Sequence, residues 1–281
     1  STSVLWETPG LFEGYGIRTK ASIKSQSAAA FANIDWEIAE RLHVLPGIRF
    51  NYDQKDVVYD RITYGGLDTA TYNGTKAEKT ALQNLKNGVY SGQSYVADAT
   101  ENNFTYQLTV AYKLNKRFHA FGTYSTSFKP VGVNVAGLPT INGQPATDLA
   151  VIKPEDVTHI EFGIKTSPTS QSTLNLTFHT TDIDDYQTNV QSPELGVNRG
   201  YIANAEKVNV RGVEVDGNIK VNKSFLFYGA LAYTHGKYVR FTNAPLPLEL
   251  TGQVIDGVQV AFQDISGGEI PGLSRWAGSF G

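Results

Sequence analysis

The sequence predicts an all-β fold, an antiparallel transmembrane β-barrel, and three observations carry that reading. Apolar and polar residues alternate with period two over long segments. Short and long connections between those segments alternate strictly. Aromatic residues gather where the segments meet their connections. Successive side chains of a strand point to opposite faces, so period-two alternation presents one apolar and one polar surface.

Alternation is clearest in "FTYQLTVAYK". Phe104, Tyr106, Leu108, Val110 and Tyr112 fall on one face, and Thr105, Gln107, Thr109 and Lys113 on the other. Ile48, Phe50 and Tyr52 oppose Arg49, Asn51 and Asp53 in the same way. Ile160, Phe162 and Ile164 oppose Glu161 and Lys165, and Leu174, Leu176 and Phe178 oppose Thr173, Asn175, Thr177 and His179. Val213, Val215 and Ile219 oppose Glu214, Asp216 and Asn218, but Val208 and Val210 lie in the other register. A β-bulge at Arg211-Gly212 is the expected repair, since glycine suits one. No helical stripe of comparable length competes, and no repeat of fixed period is present.

Segments 24–37 and 42–58 are joined around "AERL", 102–113 and 117–128 by "LNK", 154–166 and 171–187 by "SPTSQ", and 204–220 and 224–241 by "NKS". Long polar, Gly-rich stretches separate these hairpins: 59–101, 129–153, 188–203 and 242–271. Loops in compact domains are usually about 4–6 residues, whereas outer-membrane barrels have short turns at one end and long loops at the other. Aromatics mark both ends, with Trp36, Tyr112, Phe118, Phe225 and Phe227 near the short turns and Tyr52, Tyr59, Phe104, Tyr238 and Phe241 near the long ones. Two aromatic girdles are the signature of two membrane interfaces. A water-soluble sandwich would alternate too, but would not collect every long loop at one end.

Composition narrows the function classes. The net charge of −3 and 18% charged residues leave no basic surface for nucleic acid. No run of about 18 apolar residues occurs, so a membrane-spanning helix is excluded. A mean hydropathy of −0.26 is compatible with a barrel, which shows lipid only every second residue. Cysteine is absent, which removes disulfides and thiolate metal sites. Methionine is absent as well, and the chain reads as a processed or partial product.

Five stretches resemble, in order, motifs of TonB-dependent outer-membrane receptors of the siderophore or iron-complex type. They are "LHVLPGIRFNYD" (42–53), "FGTYSTSFKPVGVN" (121–134), "IKPEDVTHIEFGIKT" (152–166), "FHTTDIDDYQTNV" (178–190) and "AEKVNVRGVEVDG" (205–217). Ser127 stands where the family usually has glycine, and Val131 interrupts its usual Pro-Gly-Gly. The resemblance implies a plugged barrel of about 22 strands, of which 1–281 would be part of the barrel domain, without the plug and the final strands. On that reading the chain holds eight full strands and the start of a ninth, "LSRWAGSFG". It also implies a bacterial outer-membrane location and energy coupling by TonB-ExbB-ExbD through the plug. The implied activity is uptake of a scarce small-molecule ligand, most often a ferric siderophore or other iron complex. A passive porin-like channel is the alternative.

No catalytic residues, cofactor or metal site are expected. The sequence lacks G-x-S-x-G, H-E-x-x-H, Walker A and G-x-G-x-x-G, and the histidines (43, 119, 159, 179, 235) are scattered singly. "DIDD" (182–185) lacks the glycine and distal glutamate of a calcium loop and reads as a solvated rim. Ligand contacts are expected from extracellular loops, at Tyr64, Tyr72, Tyr90, Tyr95, Lys129 and Asn134. Thr123 to Phe128 would climb the wall, Pro130 would end pairing at the rim, and Lys129 would reach the headgroup zone. Arg49, Glu161, Lys165, Arg211, Glu214 and Asp216 are expected in the lumen, facing a plug, and the lipid of the outer membrane should cover the apolar face.

Overall fold

A computed structural model describes residues 5–138, 140–141, 144–191, 200–250, 254–255, 258–259 and 262–281. Nine strands follow one another, each antiparallel to the next: β1 (Gly16–Asn33), β2 (Leu42–Tyr64), β3 (Gln93–Lys113), β4 (Phe118–Lys129), β5 (Glu155–Thr169), β6 (Ser172–Gln191), β7 (Gly200–Lys220), β8 (Leu226–Arg240) and β9 (Trp276–Phe280). The short segment Trp36–Ala39 adds a further pairing to the start of β2. This is the meander that the four hairpins predict.

The short turns are set by local chemistry. Asn115 Oδ1 accepts from the backbone N–H groups of Arg117 (2.8 Å) and Phe118 (3.2 Å), and Asn222 Oδ1 does the same for Ser224 (2.8 Å) and Phe225 (3.0 Å). Asparagine side chains mimic a backbone turn in this way. Arg41 takes the left-handed conformation (φ 74°) at the first turn, and its carbonyl accepts from the Lys113 N–H at 2.8 Å.

Register places one apolar row across the whole sheet. Val44, Val110, Gly122, Phe162, Phe178, Val213, Tyr233 and Trp276 are successive cross-strand partners. Phe162 and Phe178 stack at 5.1 Å and Tyr233 meets Trp276 at 4.8 Å. Ile48, Phe104, Phe162, Leu231 and Trp276 are all exposed on this face, as a lipid-facing surface requires. On β2 the band runs from Leu42 to Tyr52 before Gln54 and Asp56 take over, a length close to the roughly 9–11 residues of a membrane-spanning strand. Its upper limit moves along the sheet: Tyr52 marks it on β2, but Val213, in the row of Val44, marks it on β7. Strands inclined at roughly 45° to the membrane normal give such a shift.

Above the band the two faces exchange character without a change of register. On β2 the inner face becomes apolar at Val57 and Tyr59, and on β7 at Val208 and Val210. The expected bulge at Arg211-Gly212 is therefore absent: pairing with β6 runs unbroken from Ser172↔Ile219 to Asp184↔Lys207, and the shift with β8 falls at Lys207/Val208. The apparent slip is a change of surroundings, from lipid outside to protein inside. Gly212 instead allows a close approach, because a Cβ there would meet His179 Nε2 at 2.5 Å and the Tyr233 carbonyl at 2.7 Å.

The strands also run further than their alternation suggested. Residues 59–64 and 93–101 belong to β2 and β3, and 188–191 and 200–203 to β6 and β7. Between β2 and β3 lies a helix, α1 (Lys76–Val89), opened by a capping box in which Thr75 Oγ1 accepts from the Glu78 N–H (3.2 Å) and Glu78 Oε2 accepts from the Thr75 N–H (2.7 Å). Tyr59, Tyr238 and Phe241 are buried on the inner side and take no part in a girdle.

Candidate functional site at the long-loop mouth

The chain after Lys129 turns inward. Its contacts identify the concave side of the sheet: Lys55 Nζ on β2 donates to the Val131 carbonyl (2.6 Å), and Glu101 on β3 accepts from the Val131 N–H (3.0 Å). Gln187 on β6 donates to the Pro130 carbonyl (3.1 Å), and Ile202 on β7 donates to Asn134 Oδ1 (2.9 Å). One short segment reaches β2, β3, β6 and β7 only by crossing the interior. The described residues of the 130–152 segment thus fold over the inner side of the sheet as a cap, packed against two apolar clusters. One contains Val57, Tyr59, Tyr95, Leu138 and Ala150, and the other Val190, Tyr201, Val208, Tyr238 and Phe241.

Asn134 is the centre of the cap. It is buried, its Nδ2 donates to the carbonyls of Leu149 (2.7 Å) and Ile202 (3.0 Å), and its N–H bonds the Ala150 carbonyl (2.9 Å). Its own carbonyl accepts from the Tyr95 hydroxyl at 2.6 Å. Tyr95 is stacked on Tyr59 at 4.7 Å, and burial pushes its phenol up to about 12, with Tyr59 adding to the rise and Arg61 opposing it. Gln93 grips the cap a second time, donating to the Leu138 carbonyl (2.8 Å) and accepting from its N–H (2.7 Å). At the rim Lys129 pairs with buried Glu155 (3.1 Å), whose carboxylate also accepts from the Gln187 N–H (2.8 Å).

The expected loop contacts separate. Tyr95 lies within β3 and Asn134 in the cap, and the two touch. Tyr64 is the last residue of β2, with Arg18 over its ring at 5.9 Å. Tyr90 follows α1, and its carbonyl accepts from the Tyr15 hydroxyl (2.7 Å). Tyr72 lies in the connection that precedes α1.

Five of the six expected lumen residues share the inner face. Arg49 Nε donates to Asn51 Oδ1 (2.6 Å) and lies over Phe31 (5.7 Å), while Lys165 lies over Phe121 (5.2 Å). Glu161 approaches His159 (3.5 Å), Glu214 approaches His179 (3.9 Å), and Asp216 accepts from Asn175 (2.9 Å). Arg211 is the exception. It pairs across with Thr180 and His235 in the register of Val213, so it stands on the outer face. The "DIDD" carboxylates are each engaged: Asp182 accepts from Asn209 (2.8 Å), Asp184 pairs with Lys207 (3.3 Å) and Asp185 with Lys153 (3.5 Å).

Sequence reasoning missed Arg61. It is buried in the inner wall, its Nε donates to the Ser91 carbonyl (2.9 Å), and its Nη2 has no partner among the described residues. It lines a polar cleft of about 630 Å³ together with Gln93, Ser94 and Gln144. The signal was present, because Arg61 has the parity of Arg49 and Asp53, but it lay in a stretch assigned to a loop. No group of three metal-ligating side chains occurs among the described residues.

A family model described as TonB dependent receptor-like, β-barrel matches residues 7–281. The chain belongs to this family. As a TonB-dependent receptor barrel it is an outer-membrane protein, and in such barrels the long loops lie on the extracellular side. No curated protein matches the sequence. Among solved structures, the chain resembles the ferric yersiniabactin uptake receptor FyuA from Yersinia pestis, with TM-score 0.62 and 16% identity over 94% of this chain and 32% of that one. It also resembles the siderophore receptor PiuA from Acinetobacter baumannii, with TM-score 0.59 and 19% identity over 93% and 31%. A third is the ferric-catecholate import receptor Fiu from E. coli K12 in its closed form, with TM-score 0.51 and 17% identity over 80% and 29%. The chain spans about a third of the length of these receptors. These likenesses support the wall architecture; family and neighbours are transport receptors rather than enzymes.

Proposed function

We propose that the receptor containing this chain takes up a scarce ligand across the outer membrane, with a ferric siderophore or another iron complex as the substrate class. The observation that carries this reading is the mouth itself. A cap anchored by Asn134 closes over the lumen beside a cleft where Arg61 keeps a buried, unpartnered N–H. A guanidinium so placed suits an anionic chelate group, because charge-assisted hydrogen bonds are about twice as strong as neutral ones. Uptake then requires the lumen to open, and the inward-facing Arg49, Glu161, Lys165, Glu214 and Asp216 are the contacts offered to a plug. TonB-ExbB-ExbD would supply the energy. A passive porin would gain nothing from a capped mouth.

The test is uptake of radiolabelled ferric siderophore by cells carrying the whole receptor, with and without TonB. Uptake that needs TonB, and falls about tenfold or more in affinity in Arg61→Ala, supports the proposal. Uptake indifferent to TonB, with ion conductance in planar bilayers, points to a channel.

A further inference from the structure

Arg61 is a buried charge whose counter-ion is missing from its surroundings. It is 5% exposed, and arginine stays protonated at any physiological pH, so it cannot escape the cost of burial by losing its charge. Among the described residues that line its cleft of about 630 Å³, Arg61 is the one charged side chain. Its polar neighbours are committed elsewhere. Gln93, the cross-strand partner of Arg61, uses both ends of its amide on Leu138 (2.8 and 2.7 Å). Ser94 donates its hydroxyl to Asp60. The Tyr95 phenol, kept protonated by burial, donates to the Asn134 carbonyl at 2.6 Å.

The contacts of the guanidinium fix which side of it is available. Nε is taken by the Ser91 carbonyl (2.9 Å), and Nη2 has no partner among the described residues. Gly137 of the cap lies against the Nη1 end. Its φ is 95°, and a Cβ there would meet Nη1 at 2.6 Å, Gln93 Oε1 at 3.2 Å and Arg61 Cζ at 3.3 Å. Glycine is required on both counts, and no side chain stands at that end of the guanidinium. The Nη1–Nη2 edge presents two parallel N–H groups, which match the two oxygens of a carboxylate. A phosphate dianion would bring a second charge, for which the lining of the cleft has no second cation. In an iron-loaded chelate the hydroxamate or catecholate oxygens are bound to the metal. A carboxylate outside the coordination sphere is the group left for recognition.

We propose that Arg61 and Gly137 form a subsite for an uncoordinated carboxylate of the ligand, which makes the substrate class a carboxylate-bearing chelate. Its place in uptake rests on the proposed function, whereas the carboxylate contact can be tested without transport.

The experiment modifies arginine in the whole purified receptor with a small dicarbonyl reagent, which condenses with the two terminal guanidinium nitrogens, and reads each site by peptide mass spectrometry. Sodium acetate stands in for the ligand carboxylate. At about ten times its dissociation constant, acetate should slow modification of Arg61 about tenfold and leave the exposed Arg18 and Arg240 unchanged. Acetamide, or sodium chloride at equal ionic strength, should give no protection. Gly137→Ala should remove the protection, because its Cβ displaces the guanidinium, and undiminished protection in that variant overturns the part assigned to Gly137. Where Gly137→Ala disturbs the cap, the wild-type comparison decides alone. Equal rates with and without acetate overturn the proposal. So does an Arg61 that fails to react in the acetate-free receptor, since its edge is then closed. Equal protection by phosphate overturns it too, as the mark of a general anion site. Uptake that needs no TonB would defeat the proposed function and leave this subsite standing.

Discussion

Asn134 and Tyr95 show how much a single side chain can organise when water is excluded. Removing the Asn134 amide leaves two carbonyls and the Ile202 N–H without their partner in a buried site, at about 1–3 kcal/mol. Asn134→Ala should therefore lower hydrogen-exchange protection of the 134–150 amides by roughly tenfold or more while leaving β4 and β5 unchanged. The Tyr95 phenol supplies a pH dependence. Its folded value is raised, to about 12, because burial disfavours the phenolate. Its stabilising contribution is complete below the ordinary tyrosine value near 10 and is lost as pH rises toward 12. Ultraviolet titration of tyrosinate should show a late-ionising phenol that is missing in Tyr95→Phe.

Within the strands, tolerance depends on which face and which height a position occupies. Val215 faces lipid inside the apolar band, whereas Thr177 faces the lumen opposite Glu214. An arginine on the lipid face costs about 2–4 kcal/mol near the midplane, and lumen substitutions tune selectivity instead. Val215→Arg should depress folding yield and urea stability of the whole receptor in lipid, and Thr177→Arg should be close to neutral. For α1 the capping box predicts a local effect. Thr75→Ala should cost about 1 kcal/mol of helix stability, read as faster exchange at the first turn alone.

At the scale of the molecule, wall and cap are distinct: the wall turns an apolar band outward, and the cap folds across its inner side above that band. If uptake needs the cap to move, tying it to the wall should stop transport. The chain has no cysteine, so Gln93→Cys with Leu138→Cys gives a clean test at a place where wall and cap already meet. Oxidised receptor should bind ligand at the cell surface without importing it, and reduction should restore import. Unchanged import with the disulfide formed would mean that the ligand passes another way.

By itself the sequence determined the wall. Alternation fixed by a two-residue repeat assigned Phe104 to Tyr112 to lipid and Glu161, Glu214 and Asp216 to the lumen, and the asparagines of "LNK" and "NKS" marked two of its turns. The Thr75-x-x-Glu78 cap of α1 was equally legible, but lay unread within a supposed loop. Only the tertiary structure decided the upper third of the molecule. Alternation reports which side of a strand is apolar, and above the membrane the apolar side is the one facing the folded-in cap. Val208 and Val210, out of register with Val213 in the sequence, are therefore correct in period and inverted in meaning, and Val57, Tyr59 and Tyr95 likewise turn their apolar side inward. Arg211 was assigned to the lumen because its parity was counted from valines on the wrong side of that inversion. The partner that buries a face lies far away in sequence, and no local pattern names it.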